Sequence, residues 1–158
     1  MAEPYESQKI PDHWNSSPKR AVLCRIVAVS GLRLKQRDTW LIHPRTRTFA
    51  KFEIAEMTIT DEELASPGRQ INSVLYIGFL EVQQGGVVIA GDSVSISENE
   101  IGVVGGFSDI HEPNHLNIMV KGNPDIIGKY ITPYSDASVV RLDFNVEDEV
   151  VFGRHAKK

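Results

Sequence analysis

Between Asn72 and Gly122 the apolar positions recur at a spacing of two and are broken by glycine turns, which predicts four or five β-strands. From Val74 to Val82 both alternating sets are apolar, with Leu75, Ile77 and Phe79 on one face and Val74, Tyr76, Leu80 and Val82 on the other. A strand apolar on both faces belongs in the middle of a sheet. Glu81 continues the row of Leu75, Ile77 and Phe79, so simple alternation sets a carboxylate at the end of a buried row. Gln84-Gly85-Gly86 predicts a turn, Val87 to Ala90 the return strand, and Gly91-Asp92 a second turn. Val94 and Ile96 then point inward and Ser93, Ser95 and Ser97 to water. After Glu98-Asn99-Glu100, Ile101, Val103, Gly105, Phe107 and Asp109 share one face, a second acid closing an apolar row. A further strand starts at His115, with Leu116, Ile118 and Val120 on one face and His115, Asn117 and Met119 on the other.

The flanks are less regular. Residues 1–18 are polar with prolines at 4, 11 and 18, which predicts an arm without regular structure that Tyr5, Ile10 and Trp14 would pin to a neighbouring surface or subunit. Arg20 to Val29 reads as the first strand, and Arg33, Lys35 and Arg37 alternate with Leu34 and Gln36 as in a charged edge strand. Thr48 to Ile59 reads as one strand or two, with a break near Ala55 where the apolar phase changes. Thr60-Asp61-Glu62-Glu63-Leu64 carries a capping box and predicts a short helix that Ser66-Pro67-Gly68 stops. Residues 125–131 read as a short strand or a turn of helix. Residues 138–146 alternate, with Val140, Leu142, Phe144 and Val146 inward and Arg141 and Asp143 paired outside. Two segments, Ala90 to Ile96 and Val146 to Phe152, share an acid ahead of an alternating apolar pair, a pattern that resembles small barrels such as the second domain of translation elongation factors. Eight to ten short strands and one short helix predict an all-β fold, a single closed or partly closed β-barrel over residues 19–158, with a two-sheet β-sandwich as the alternative.

Composition narrows the class. The chain has 158 residues, enough for a core without staples, and a 41% hydrophobic share is that of a globular domain. Cys24 is the only cysteine, so no internal disulfide forms; its setting in AVLCRIVAV predicts a buried thiol. With no signal-type apolar stretch between Met1 and Trp14 and no apolar run near the ~20 residues of a membrane span, the expected location is cytoplasmic. The net charge is −4, yet nine basic residues and one acid, Asp38, lie between Lys19 and Lys51. Such a segment suits a phosphate-bearing partner, but only Trp40 and Phe49 supply the aromatic interleaving of a single-strand binder.

One combination carries a resemblance. Tyr76-Ile-Gly-Phe-Leu-Glu81, Gly85-Gly-Val-Val with Gly91-Asp92, and Gly106-Phe107 followed by His111 and Pro113-Asn-His-Leu-Asn-Ile118 resemble a family of small bacterial all-β proteins known as a domain of unknown function. The resemblance spans roughly Arg20 to Gly153; it implies no activity, cofactor or partner, only that these segments share a site.

The candidate chemistry gathers in Asp109-Ile-His111-Glu112-Pro113-Asn114-His115. Two histidines four apart with a glutamate between them suggest the helical zinc motif, but Pro113 removes a helical hydrogen bond and turns Glu112 away from helical angles. A loop and its following strand can still bring His111, His115 and Glu112 to one divalent cation, zinc, iron or manganese. Without a metal, His111 and His115 beside Glu81, Asp109 or Glu112 would act as general acid and base in a barrel mouth, on a small organic substrate undergoing isomerisation, cyclisation or elimination. Glu112, Asn114, Asn117 and Tyr76 are the ligand-binding candidates, with Asn117 orienting a carbonyl or hydroxyl. The bland alternative is a loop in which His111 caps a turn, Asn114 bonds its own backbone and His115 bonds across the sheet. Two classes of function stand at this point: a small-molecule-binding barrel, with or without catalysis, and a non-catalytic module docking the basic segment 19–51 onto an anionic partner or nucleic acid. A homodimer is compatible with either, and neither calls for a membrane.

Overall fold

A computed structural model describes residues 19–133 and 140–153. The N-terminal arm expected over residues 1–18 lies outside the described residues. The chain lays down β1 (Val22–Val29), β2 (Arg33–Leu34), β3 (Thr39–Trp40), β4 (Thr46–Phe49), β5 (Ile54–Thr60), β6 (Gln70–Ile71) and β7 (Val74–Gln84). There follow β8 (Gly86–Ile89), β9 (Ser93–Ile96), β10 (Asn99–Ser108), β11 (Leu116–Gly122), one helical turn α1 (Pro124–Ile127), β12 (Ile131–Pro133), β13 (Val140–Leu142) and β14 (Glu149–Gly153).

Seven strands close on themselves in the order β1-β14-β9-β10-β11-β5-β7, and β7 returns to β1. The all-β barrel expected from the pattern is therefore the fold. Closure leaves no free edge in the ring, and β2 pairs outside it against the start of β7. All neighbours in the ring are antiparallel except β5 and β11, which run parallel with Leu116 opposite Ala55 and Asn117 opposite Glu56. The interior is filled from every strand, with Ile26, Met57, Ile77, Leu80, Ile96, Phe107, Ile118 and Phe152 all fully buried. Cys24 lies among them, and burial pushes its thiol up to about 12.

The helix expected at Thr60 does not form. Thr60 instead ends β5 opposite Lys121, and its hydroxyl accepts from the Glu62 amide. The Glu62 carboxylate accepts from the amides of Asn72 and Ser73, so the acid closes a long loop rather than a helix. The break expected near Ala55 falls earlier, in residues 50–53, where Phe52 takes a positive φ of 75°. Arg141 and Asp143 do pair on the surface, and Val140, Leu142 and Phe144 are buried, while Val146 is exposed.

Two strands that read as uniform carry bulges, and these decide where side chains point. In β7, Gly78 has φ 151° and pairs with Met57 while Tyr76 pairs with Thr58, so one residue is inserted. The phase flips there: Leu75 and Ile77 face the core before it, Leu80 and Val82 after it. Phe79 and Glu81 are thereby turned to the outer wall, which corrects the simple alternation that buried them. In β10 two insertions, between Glu100 and Gly102 and between Val104 and Gly106, reverse the phase twice, so Ile101, Val104 and Phe107 fill the core in place of one unbroken odd-numbered row.

Part of the outer wall is covered. Leu41, Ala65, Ile71, Val74, Tyr76 and Met119 form a second, smaller core outside the barrel, under the β3–β6 ribbon and the turns of residues 61–68. A side chain at Gly106 would lie 3.1 Å from Leu41, so glycine lets this strap lie close on β10. The strap is pinned by the Ile42 amide donating to the Phe107 carbonyl at 2.8 Å and by Thr39 and Ser108 hydroxyls 3.1 Å apart.

Candidate functional site

Alternation along β5 sends Ala55, Met57 and Ile59 into the barrel and Glu56, Thr58 and Thr60 to the outer wall. All three outward residues are nonetheless buried, Glu56 retaining 8% exposure. Glu56 sits between Phe79 of β7 and Asn117 of β11, so register alone sets a carboxylate, an aromatic ring and an amide in one row across three strands. Just before β11, the loop of residues 109–115 folds over this row. Its turns are closed by the Glu112 amide donating to the Asp109 carbonyl, and by Asn114 and His115 amides both donating to the His111 carbonyl. The last of these contacts stacks the two imidazoles, with centroids 5.1 Å apart and planes at 27°.

The result is a compact group. Ligand-type atoms of Glu56, His111 and His115 all lie within 4.8 Å of one another. His115 Nε2 is 3.4 Å from Glu56 Oε1, and both side chains are about nine-tenths buried, at 10% and 11% exposure. Phe79 meets the His115 ring edge to face at 5.0 Å. His115 Nδ1 is held by the Asn114 side-chain amide at 2.7 Å. Among the described residues, two buried side-chain polar atoms make no hydrogen bond, His115 Nε2 and Asn117 Oδ1, and both belong to this one site. Unpaired buried polar atoms are rare, so two in one place single this group out as the candidate site.

The sequence candidates divide around this group. His111, His115, Asn114 and Asn117 are brought together. Glu81 lies on the same outer wall but is engaged elsewhere, accepting from Gln83 Nε2 at 2.9 Å and from Arg25 at 3.1 Å. Those two donors hold its carboxyl below the usual carboxylate range, Gln83 first. Asp109 is exposed at the end of β10, and Glu112 faces Arg47 at 3.4 Å. Tyr76 belongs to the smaller core, where its hydroxyl accepts from Arg37 Nε at 2.7 Å. The acid beside the histidines is therefore Glu56, in place of the expected Glu81, Asp109 or Glu112. Glu56 is missed by sequence reasoning because a glutamate between apolar residues of a strand reads as solvated. Its one signal is company: Thr58 and Thr60 continue a face too uncharged for open water. The group also stands on the outer wall of the barrel, rather than in its mouth.

A family model described as a family of unknown function (DUF6917) matches residues 16–141. The match takes in the whole of this group and agrees with the resemblance carried by the Tyr76–Glu81 and Pro113–Ile118 segments. No curated protein and no solved structure matches the chain. Among the described residues, no helix is long and apolar enough to cross a membrane.

Proposed function

Because the chain belongs to this family of unknown function, whose description supplies no chemistry, we propose a function from the site itself: a β-barrel that binds one divalent cation of the zinc class. Glu56, His111 and His115 are its protein ligands, and a small oxygen-bearing molecule takes the remaining coordination position. The observation that carries this reading is His115 Nε2, a buried nitrogen without a hydrogen bond, 3.4 Å from a buried carboxylate and stacked on a second imidazole. Two imidazoles and one carboxylate form the donor set of catalytic zinc and of open non-haem iron sites, with three protein ligands and room for a fourth. Asn114 supports it from behind: its NH2 nitrogen faces His115 Nδ1 at 2.7 Å, and a half-turn of the amide brings its carbonyl oxygen there to accept from Nδ1–H, which leaves the Nε2 lone pair facing the cation. The cation would supply Lewis acidity to the bound molecule. Asn117, whose Oδ1 is also unpaired, stands beside that position to orient a hydroxyl or amide.

The orientation that the Asn114 amide has in the structure, NH2 group toward Nδ1, favours a second reading. If its NH2 group donates to Nδ1, the ring proton resides on Nε2 and faces Glu56, giving a metal-free acid–base pair for a small organic substrate. The docking alternative has less support, since Lys19, Arg25 and Arg47 of the basic segment are paired with Asp92, with Glu81 and Glu147, and with Glu112. Metal analysis of the purified full chain separates the readings. The metal reading expects close to one zinc, iron or manganese per chain after incubation and desalting, falling below about a tenth in H111A/H115A. A metal-free wild type under the same treatment overturns it.

A further inference from the structure

A second site lies at the other ends of β5 and β11 and is independent of the metal reading. A cavity of about 350 Å³ opens there, between the end of β5, the start of β7 and the α1 turn, in the size range of small-ligand sites. It is four residues of strand beyond Glu56, roughly 13 Å at about 3.3 Å per residue. Its floor is apolar, made by Ile59, Val74, Leu75 and Ile131. Its rim carries Arg33 and Lys35 with Asp61. Among the described residues, neither Arg33 nor Lys35 has an acid partner.

We infer that this cavity binds a small amphipathic monoanion, a carboxylic acid with an aliphatic body. The apolar floor takes the body, and the guanidinium of Arg33 takes the carboxylate in a two-point hydrogen bond. Two cations and one acid on the rim leave one net positive charge, which matches a carboxylate and disfavours a phosphate dianion beside Asp61. Arg33 is well placed because β2 is held outside the barrel, with Arg33 opposite Leu75 of β7, so the cationic side chain reaches the rim from a fixed backbone. The edge-strand charges, which read as protection against pairing, have a second use here.

The test is a nuclear magnetic resonance titration of the full chain with octanoate, 1-octanol and octyl phosphate. Octanoate is expected to saturate, shifting the amides of Ile59, Ser73, Val74 and Ile131, and to bind about tenfold or more tightly than 1-octanol or octyl phosphate. R33Q is expected to weaken octanoate about tenfold and K35Q to a lesser extent, while H115A binds it as the wild type does. Equal binding of octanoate and 1-octanol overturns the inference. So do unchanged binding by both folded variants, shifts centred on the 109–115 loop, or a preference for octyl phosphate.

Discussion

Single charges in this protein are placed by partners both near and far in the chain, and Glu81 makes the point. It ends an apolar run in sequence, yet its carboxylate rests between Gln83 and Arg25, and Arg25 also makes two hydrogen bonds to Glu147. Because these donors favour the ionised form, the folded-state pKa of Glu81 is lowered. The sign follows from linkage: the stabilisation is fully present above the unfolded carboxylate value of about 4.3 and fades as pH falls through the lower folded value. The melting temperatures of wild type and E81Q should therefore differ at pH 7 and converge on acidification below about pH 4. A gap that stays constant down to pH 2 would remove the ion cluster from the account. The thiol of Cys24 shows the reverse cause, with burial alone raising its pKa to about 12, in keeping with the inert buried cysteine read from AVLCRIVAV.

At the scale of elements, the bulge at Gly78 turns Phe79 and Glu81 outward and so supplies the aromatic wall of the histidine site. Any side chain at Gly78 meets the Ala28 carbonyl oxygen, 1.9 Å from an added Cβ, in a backbone region that favours glycine. G78A should cost more than about 3 kcal/mol in urea unfolding, whereas G91A, with positive φ but open space around it, should cost only about 1 kcal/mol. Equal costs would show that the close approach of β1 and β7 at Gly78 is not limiting. The same bulge explains how much of the fold is legible in the sequence. Strand content, the central role of Val74 to Val82 and the inward set of β9 follow from a period of two, which depends only on neighbours. The facing of Phe79 and Glu81 does not, because a one-residue insertion reverses every later side chain. Gly78 inside an apolar strand was its available sign. Likewise the loop of His111 to His115 is visible as a motif, but its acid comes from β5, some 55 residues earlier, through a parallel pairing that no local pattern announces. The expected helix at Thr60 fails for a similar reason, since Glu62 finds the amides of Asn72 and Ser73 instead of a first helical turn.

The molecule as a whole is a closed ring of seven strands with small ribbons on its surface. Stability should follow that division, because the ring buries both the long hydrogen-bond ladders and the main core, while the β12–β13 and β4–β8 pairs are short. Amide exchange is expected to be slowest in β1, β5, β7, β10 and β11 and faster in the β12–β13 ribbon; uniform protection across both would contradict this. The ring also anchors the histidine site, since Glu56 and Asn117 belong to paired barrel strands, while His111 and His115 ride on the loop that leads into β11. Cobalt(II) titration of wild type, E56Q and E112Q tests the central claim most directly, because the absorption of cobalt reports the ligand set. Wild type and E112Q should each bind one cobalt with the same visible spectrum, and E56Q should lose the spectrum or weaken binding at least tenfold. No saturable cobalt binding in wild type, or binding lost in E112Q and kept in E56Q, would contradict the account.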